Sequence, residues 1–317
     1  MGRFILRRVG QTMLVLLVMS FVIYGLIGLM PGDPIDTMMA GNPGMTPEIA
    51  AQMRKIYGLD QPLMLRYLHW MADAAQGDFG YSRTHSVPVL EVLGPALLQT
   101  CKLMIASFAL SVVVALALGV AAALRPGRAL DTGVSLFAFA GISVPVFWLA
   151  LMMILLFSVT LHWLPAGGTA NLGDGGIMDQ LRHLIMPVVT LALATMGSFT
   201  RYVRASMIET MRLDYVRTAR AKGADEQRVV MVHAFRNALI PVVTVVALSF
   251  GTLFSGALVT ETMFAQPGMG KMIYDAILGN DYNLALVGLL FATLVTLLSN
   301  LVADLAYGWL DPRITLG

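Results

Sequence analysis

The sequence predicts an all-α, polytopic membrane protein with six spans and a helical insertion after the first. Three observations predict it. Of 317 residues, 57% are hydrophobic and 13% charged, whereas soluble domains carry about 25% charged residues. Several apolar runs reach the ~20 residues that cross a hydrocarbon core of about 30 Å at ~1.5 Å per residue. The basic residues gather beside those runs rather than along one exposed face, which sets orientation in a membrane and argues against nucleic-acid binding.

The first run, Val9–Met30, follows Arg3, Arg7 and Arg8. It is longer than the roughly 7–15 apolar residues of a secretory leader, and no A-x-A site follows, so a retained span is expected. The remaining spans are expected at roughly 99–124, 132–161, 184–205, 237–261 and 284–308. The organisation read from this pattern is a first helix over 1–30, an extracytoplasmic helical segment over 31–98, a five-helix core over 99–308 enclosing a loop at 206–236, and a tail over 309–317.

Within 31–98, Pro31-Gly32-Asp33-Pro34 stops the first helix. Thr46-Pro47-Glu48 supplies an N-cap, a proline at the first helical position and an early acid. That helix is expected to reach Tyr57 and end at Gly58. A second is expected over Gln61–Gln76, with Leu63, Tyr67, Trp70 and Met71 on one face, ended by Gly77-Asp78-Phe79-Gly80. The pair reads either as interfacial helices anchored by Tyr67 and Trp70 or as a lid or dock for an extracytoplasmic partner.

Pro145 and Pro187 interrupt the third and fourth spans, and Pro241 opens the fifth; each is expected to kink its helix. Ser249, Thr252 and Gly256 recur at spacings of three and four, with Gly251 and Ser255 beside them. They form either a packing seam or the lining of a polar translocation path. Glu261 falls where the fifth span leaves the membrane and Asp304 near the inner end of the sixth, so interfacial or salt-bridged roles are expected for both.

Catalytic chemistry is missing. Cys101 stands alone and reads as a small buried side chain. The five histidines lack ligand spacing, and Gly197-Ser198 lacks the G-x-S-x-G context of a nucleophile. Gly268-Met269-Gly270-Lys271 is not a phosphate loop, because position 265 is Ala and position 272 is Met. No metal or cofactor is expected on this chain, so any ATP-driven movement needs a separate ATPase. A secondary transporter would want inverted repeats and charged groups near the midplane, which the chain does not show.

The most informative stretch is Arg201–Pro241, with Arg201, Arg204, Arg212, Arg217, Arg220, Lys222, Arg228 and Arg236 between two apolar runs. Together with Arg125 and Arg128 in the short turn before the third span, these residues place the stretch and both termini in the cytoplasm. It is too long and too helix-prone for a bare turn and reads as a docking surface. Arg217, Arg220 and Lys222 offer charge, Ala219 and Ala221 keep the face small, and Gly223 ends the helix at positive φ.

Asp214-Tyr215-Val216-Arg217-Thr218-Ala219-Arg220-Ala221-Lys222-Gly223, continued by His233-Ala234-Phe235-Arg236-Asn237-Ala238-Leu239-Ile240-Pro241, resembles the cytoplasmic signature of inner-membrane permeases of dipeptide/oligopeptide ABC importers. The likeness extends to Arg7-Arg8, Leu29-Met30-Pro31-Gly32-Asp33-Pro34, Gly58-Leu59-Asp60-Gln61-Pro62 and Pro88-Val89. Toward the C-terminus it includes Glu261-Thr262-Met263-Phe264, Asp281-Tyr282, Asp304-Leu305 and Asp311-Pro312-Arg313. Leu213 departs from it, standing where that subgroup often has Glu.

The resemblance implies a type I ABC importer arrangement in the bacterial inner membrane. It also implies a paralogous second permease as partner, two ABC ATPases that consume ATP-Mg, and a periplasmic solute-binding protein. Asp214, Tyr215, Arg217, Thr218, Ala219, Arg220, Ala221, Lys222 and Gly223 would form the ATPase-coupling site. Related permeases serve peptides, glutathione or nickel, and the sequence does not choose among them.

Overall fold

The computed structural model describes residues 2–29, 39, 46–56, 60–171, 173, 175–251 and 253–310. Thr252 and the segments 31–34, 57–59 and 311–317 lie outside the described residues, as does the side chain of Asp304. The described chain is helical, with one isolated bridge between Tyr81 and Pro88. Among the described residues five helices are long and apolar enough to cross a membrane, and a bent pair brings the number to six if it is one span.

Helix α1 spans Gly2–Gly28, followed by α2 (Pro47–Ile56) and α3 (Leu63–Ala75). Thr46 caps α2 through Ile49 N at 3.4 Å, as the Thr-Pro-Glu start predicted. On α3 the structure corrects the expected membrane anchors. Tyr67 is buried, its Oη lies 2.7 Å from Ser20 Oγ, and its ring meets Phe21 and Tyr24 of α1 edge-on at 5.2 and 5.5 Å. Trp70 sits 5.9 Å from Tyr24. The aromatics therefore fasten α3 to α1, and Met64, Leu65 and Leu68 form the exposed face instead.

Helix α4 (Val89–Ala123) and helix α7 (Ile177–Met211) are longer than the expected spans and form the central pair. Gly119 permits their approach: a Cβ there would come within 2.7 Å of Val203. Between them lie α5 (Ala129–Ser143) and α6 (Val146–Met153), the latter continuing as π-helix to Thr160. The sequence predicted one kinked span; the structure has a 105° bend. Val144, preceding Pro145, is forced out of the helical region to φ −84°, ψ 124°, which ends α5 outright.

Pro187 behaves differently and stays inside α7. A proline cannot donate to the carbonyl four residues back. That carbonyl belongs to His183, and Gln266 Nε2 lies 3.4 Å from it. The neighbour satisfies what the proline leaves open. Gly197 serves close packing, since a Cβ there would fall 2.3 Å from Ala138 O of α5.

After α7 come α8 (Asp214–Ala221), the short turn α9 (Glu226–Arg228) and a π-helical stretch Val229–Ala234 leading into α10 (Phe235–Phe250). Pro241 lies within α10 rather than at its start. The expected fifth span is not one helix, because α10 ends at Phe250 and α11 begins at Leu253. Helix α12 (Met269–Leu278) and helix α13 (Tyr282–Leu310) complete the chain.

Candidate functional site

The basic stretch folds into a platform at the end of the bundle where α4 and α7 finish. Its foundation is apolar: Ala123, Val203, Met207, Val216, Val229, Val230, Ala234, Ala238 and Val242 form one buried cluster. Val216 is fully buried and pins α8 from beneath, while Ala219, half-buried, sits beside it. Ser206 Oγ donates to Ala238 O at 2.7 Å, tying α7 to α10.

Asp214, Tyr215, Arg217, Thr218, Arg220, Ala221, Lys222 and Gly223 remain exposed on the outside of this platform. Leu213 stands at the N-cap without a side-chain cap bond. The far end of α8 closes as the glycine predicted. Gly223 has φ +80°, its N–H donates to Arg220 O at 2.9 Å, and Ala224 N–H donates to Ala219 O at 3.2 Å. This is a full Schellman end, which favours glycine at its left-handed position.

The charges are less available than the sequence suggested. Arg220 donates through Nε and Nη2 to both oxygens of Glu226, at 3.0 and 2.6 Å, clasping the turn around Gly223. This bonding raises the Arg220 guanidinium further above its ordinary value, so it stays charged at every accessible pH. Arg217 pairs with Asp214 one turn back. A cleft of about 640 Å³ opens beside the clasp, with Val120, Pro126, Met211, Arg212 and Gln227 in its wall.

Arg204, grouped with the docking residues by sequence, turns inward. Its Nη2 donates to Asp131 Oδ2 at 2.8 Å and its Nε to Oδ1. Sequence reading missed Asp131, Val216 and Glu226. Val216 and Ala219 at helical spacing were a usable signal for the buried face, but nothing local announces a partner seventy-three positions away.

The opposite end of the bundle is knotted around Glu261. Its side chain is fully buried at the end of α11. Oε1 accepts from Thr100 Oγ1 at 2.5 Å and Oε2 from Lys271 N at 3.1 Å. Thr100 Oγ1 in turn accepts from Met269 N at 2.7 Å. The expected interfacial or salt-bridged role is thus replaced: among the described residues no cation pairs with Glu261, and its carboxylate instead caps the first turn of α12. The glycines that mimic a phosphate loop make room for it, since a Cβ on Gly268 would lie 2.1 Å from its Cδ.

Asp281 holds a second knot here. It accepts from Ser82 Oγ at 2.6 Å, Thr84 N at 2.9 Å, Thr84 Oγ1 at 2.7 Å and Leu284 N at 3.2 Å. Burial pushes this carboxyl's pKa up, but the hydrogen bonds outweigh it and hold the group below its ordinary value.

The small residues of the fifth span divide. Ser249 Oγ donates to Val245 O at 2.8 Å within α10. Gly256 faces α7, where a Cβ would come within 2.9 Å of Leu191 Cδ1, so it serves close packing. Among the described residues no group of three His, Cys, Asp or Glu side chains comes together.

Comparison with known proteins decides the family. Residues 115–316 match the family described as "Binding-protein-dependent transport system inner membrane component", and residues 1–101 match its N-terminal counterpart, "Binding-prot-dependent transport system membrane comp, N-term". This chain is a member of that inner-membrane transport family.

Relatives cover the member end to end. The di/tripeptide transport system permease protein DppB of Pseudomonas aeruginosa is 39% identical, with 98% of each chain covered. The oligopeptide transport system permease protein AppB of Bacillus subtilis is 36% identical, with 99% of each covered. Among solved structures, a chain of the MetNI methionine ABC transporter in inward-facing conformations aligns with TM-score 0.56 and 18% identity over 70% of this chain and 97% of that one. A chain of an amino acid ABC transporter aligns with TM-score 0.50 and 14% identity, over 68% and 93%. These two share the fold, and the apolar helices with the permease relatives make this a multi-pass membrane protein.

Proposed function

We propose that this chain is one permease subunit of an ATP-driven importer of short peptides, forming half of the translocation path and hydrolysing no ATP itself. The observation that carries the reading is the α8 platform. An exposed charged face from Asp214 to Gly223 rests on a fully buried Val216, so a load applied to that face reaches the apolar helices rather than bending a loose loop. The names of the peptide permeases that match end to end support the substrate class.

In this reading two ATPase subunits grip Asp214, Tyr215, Arg217, Thr218, Ala219, Arg220, Ala221, Lys222 and Gly223 from the cytoplasm and use ATP-Mg. A paralogous permease completes the path within the bilayer, and a periplasmic binding protein delivers substrate. Both termini are cytoplasmic, as the positive-inside bias implies. We assign the path to the part of the fifth span whose sequence carries Ser249, Thr252 and Gly256, beside the packing contact that Gly256 makes with α7.

The test is uptake against hydrolysis in the reconstituted complex. Gly223→Pro forbids the observed φ of +80° and deletes the N–H bonded to Arg220 O. Arg217→Glu reverses an exposed charge. Both variants are expected to insert normally and to lose uptake. Normal uptake in both, or peptide-stimulated ATP hydrolysis by this chain alone, would overturn the reading.

A further inference from the structure

We infer that the Asp131–Arg204 ion pair is the joint through which movement of α8 reaches the bent α5–α6 span; the inference rests on the coupling function proposed above. Arg204 lies on the last two turns of α7 beside Val203 and Met207, which are buried in the same cluster as Val216. These two turns therefore hold the coupling helix on one side. On another they hold α5, through a two-pronged contact of the guanidinium with both oxygens of Asp131.

Asp131 is buried and also accepts Gly127 N–H at 2.8 Å. It thereby fixes the turn that delivers α5 from α4. The other ion pairs of the platform, Arg217–Asp214 and Arg220–Glu226, are local to the coupling segment. Among the described residues, Asp131–Arg204 is the ion pair that links the segment's foundation to another apolar helix.

The form of the contact matters. Between apolar helix surfaces in a bilayer there is no hydrophobic driving force, because lipid is as apolar as they are. A planar guanidinium forked onto a carboxylate resists both translation and rotation. Beyond Asp131, α5 runs to the 105° bend at Pro145, and Ala150 of α6 packs with Met186 and Phe264 near the Glu261 knot. The pair stands where inner motion enters the arm that leads to the opposite end of the bundle.

The experiment uses the complete transporter in proteoliposomes, with its binding protein and a peptide, measuring uptake and ATP hydrolysis together. Asp131→Asn removes the charge and keeps an oxygen for Gly127 N–H. Losing one partner of a buried charged contact predicts uptake per ATP lowered roughly ten-fold, with hydrolysis within about two-fold of the parent. Arg204→Lys keeps the charge without the fork and should lower the same ratio by about three-fold. Exchanging the pair, Asp131→Arg with Arg204→Asp, should raise the ratio above that of Asp131→Asn.

Uptake and hydrolysis falling in equal proportion, or an unchanged ratio, would overturn the joint. Should Asp131→Asn fail to assemble, Arg204→Lys decides by the same ratio. Gly223→Pro, measured in parallel, separates the two ideas. If it loses uptake and Asp131→Asn keeps the parent ratio, only the joint falls; if it and Arg217→Glu both keep normal uptake, the coupling function itself falls.

Discussion

Thr100→Val is the sharpest test of the Glu261 knot, because valine keeps the shape of threonine and deletes only its hydroxyl. That hydroxyl donates to Glu261 Oε1 at 2.5 Å and accepts from Met269 N at 2.7 Å. Both Thr100 and Glu261 are buried, so water does not replace the lost bonds. Losing a hydrogen bond to a charged group costs about 1.5–3 kcal/mol, and orphaning a buried N–H costs about 1–3 more. The expected loss is therefore about 2.5–6 kcal/mol.

At the ~2–4 °C per kcal/mol typical of larger domains, the melting temperature should fall by roughly 5–24 °C. The assay is thermal unfolding of purified protein in one detergent at one heating rate, since such transitions depend on scan rate. Ser107→Ala is the control. Ser107 is equally buried, but its hydroxyl serves only Leu103 O within its own helix, a bond that adds little to a helix already complete. A Thr100→Val shift below about 2 °C, or one no larger than that of Ser107→Ala, would refute the reasoning that a buried carboxylate closes this end of the bundle.

Two further outcomes are expected. The Asp281 carboxyl titrates below its ordinary value in the folded state, so its contribution is present above the unfolded value of about 3.9 and is lost as pH falls through the folded one. Asp281→Asn should lower the melting temperature at pH 7, and the gap from the parent should narrow as melts are taken below the unfolded value of about 3.9; a gap constant from pH 7 downward would contradict this. Gly197→Ala would bring a methyl to 2.3 Å from Ala138 O, forcing α5 away from α7 at a cost of about 1–3 kcal/mol. Unchanged thermal stability in the same detergent would show that the two helices are not held at this distance.

The parts of the fold governed by local rules were legible in the sequence. The Thr46 cap, the Gly223 helix end and the apolar runs each follow from a few adjacent residues and one physical preference. Prolines were harder, because their effect depends on what surrounds the freed carbonyl. Pro145 ends α5, whereas Pro187 is tolerated because Gln266 reaches His183 O from the loop between α11 and α12. The sequence offers no means of telling these two prolines apart.

Acids followed the same logic. Glu261 looked like an interfacial charge because a carboxylate in an apolar run suggests a cation nearby. Its actual partners are a threonine hydroxyl and backbone N–H groups at the start of α12, and backbone donors have no sequence signature. The basic stretch shows the converse. Counting its arginines overstated the free charge, since Arg204, Arg217 and Arg220 are each paired with an acid of this chain. A partner recognising α8 therefore meets dipolar pairs and a small-residue turn more than a bare positive patch. Such a surface favours fit over long-range attraction: salt should weaken assembly with the proposed ATPase partners less than eight clustered cations would suggest.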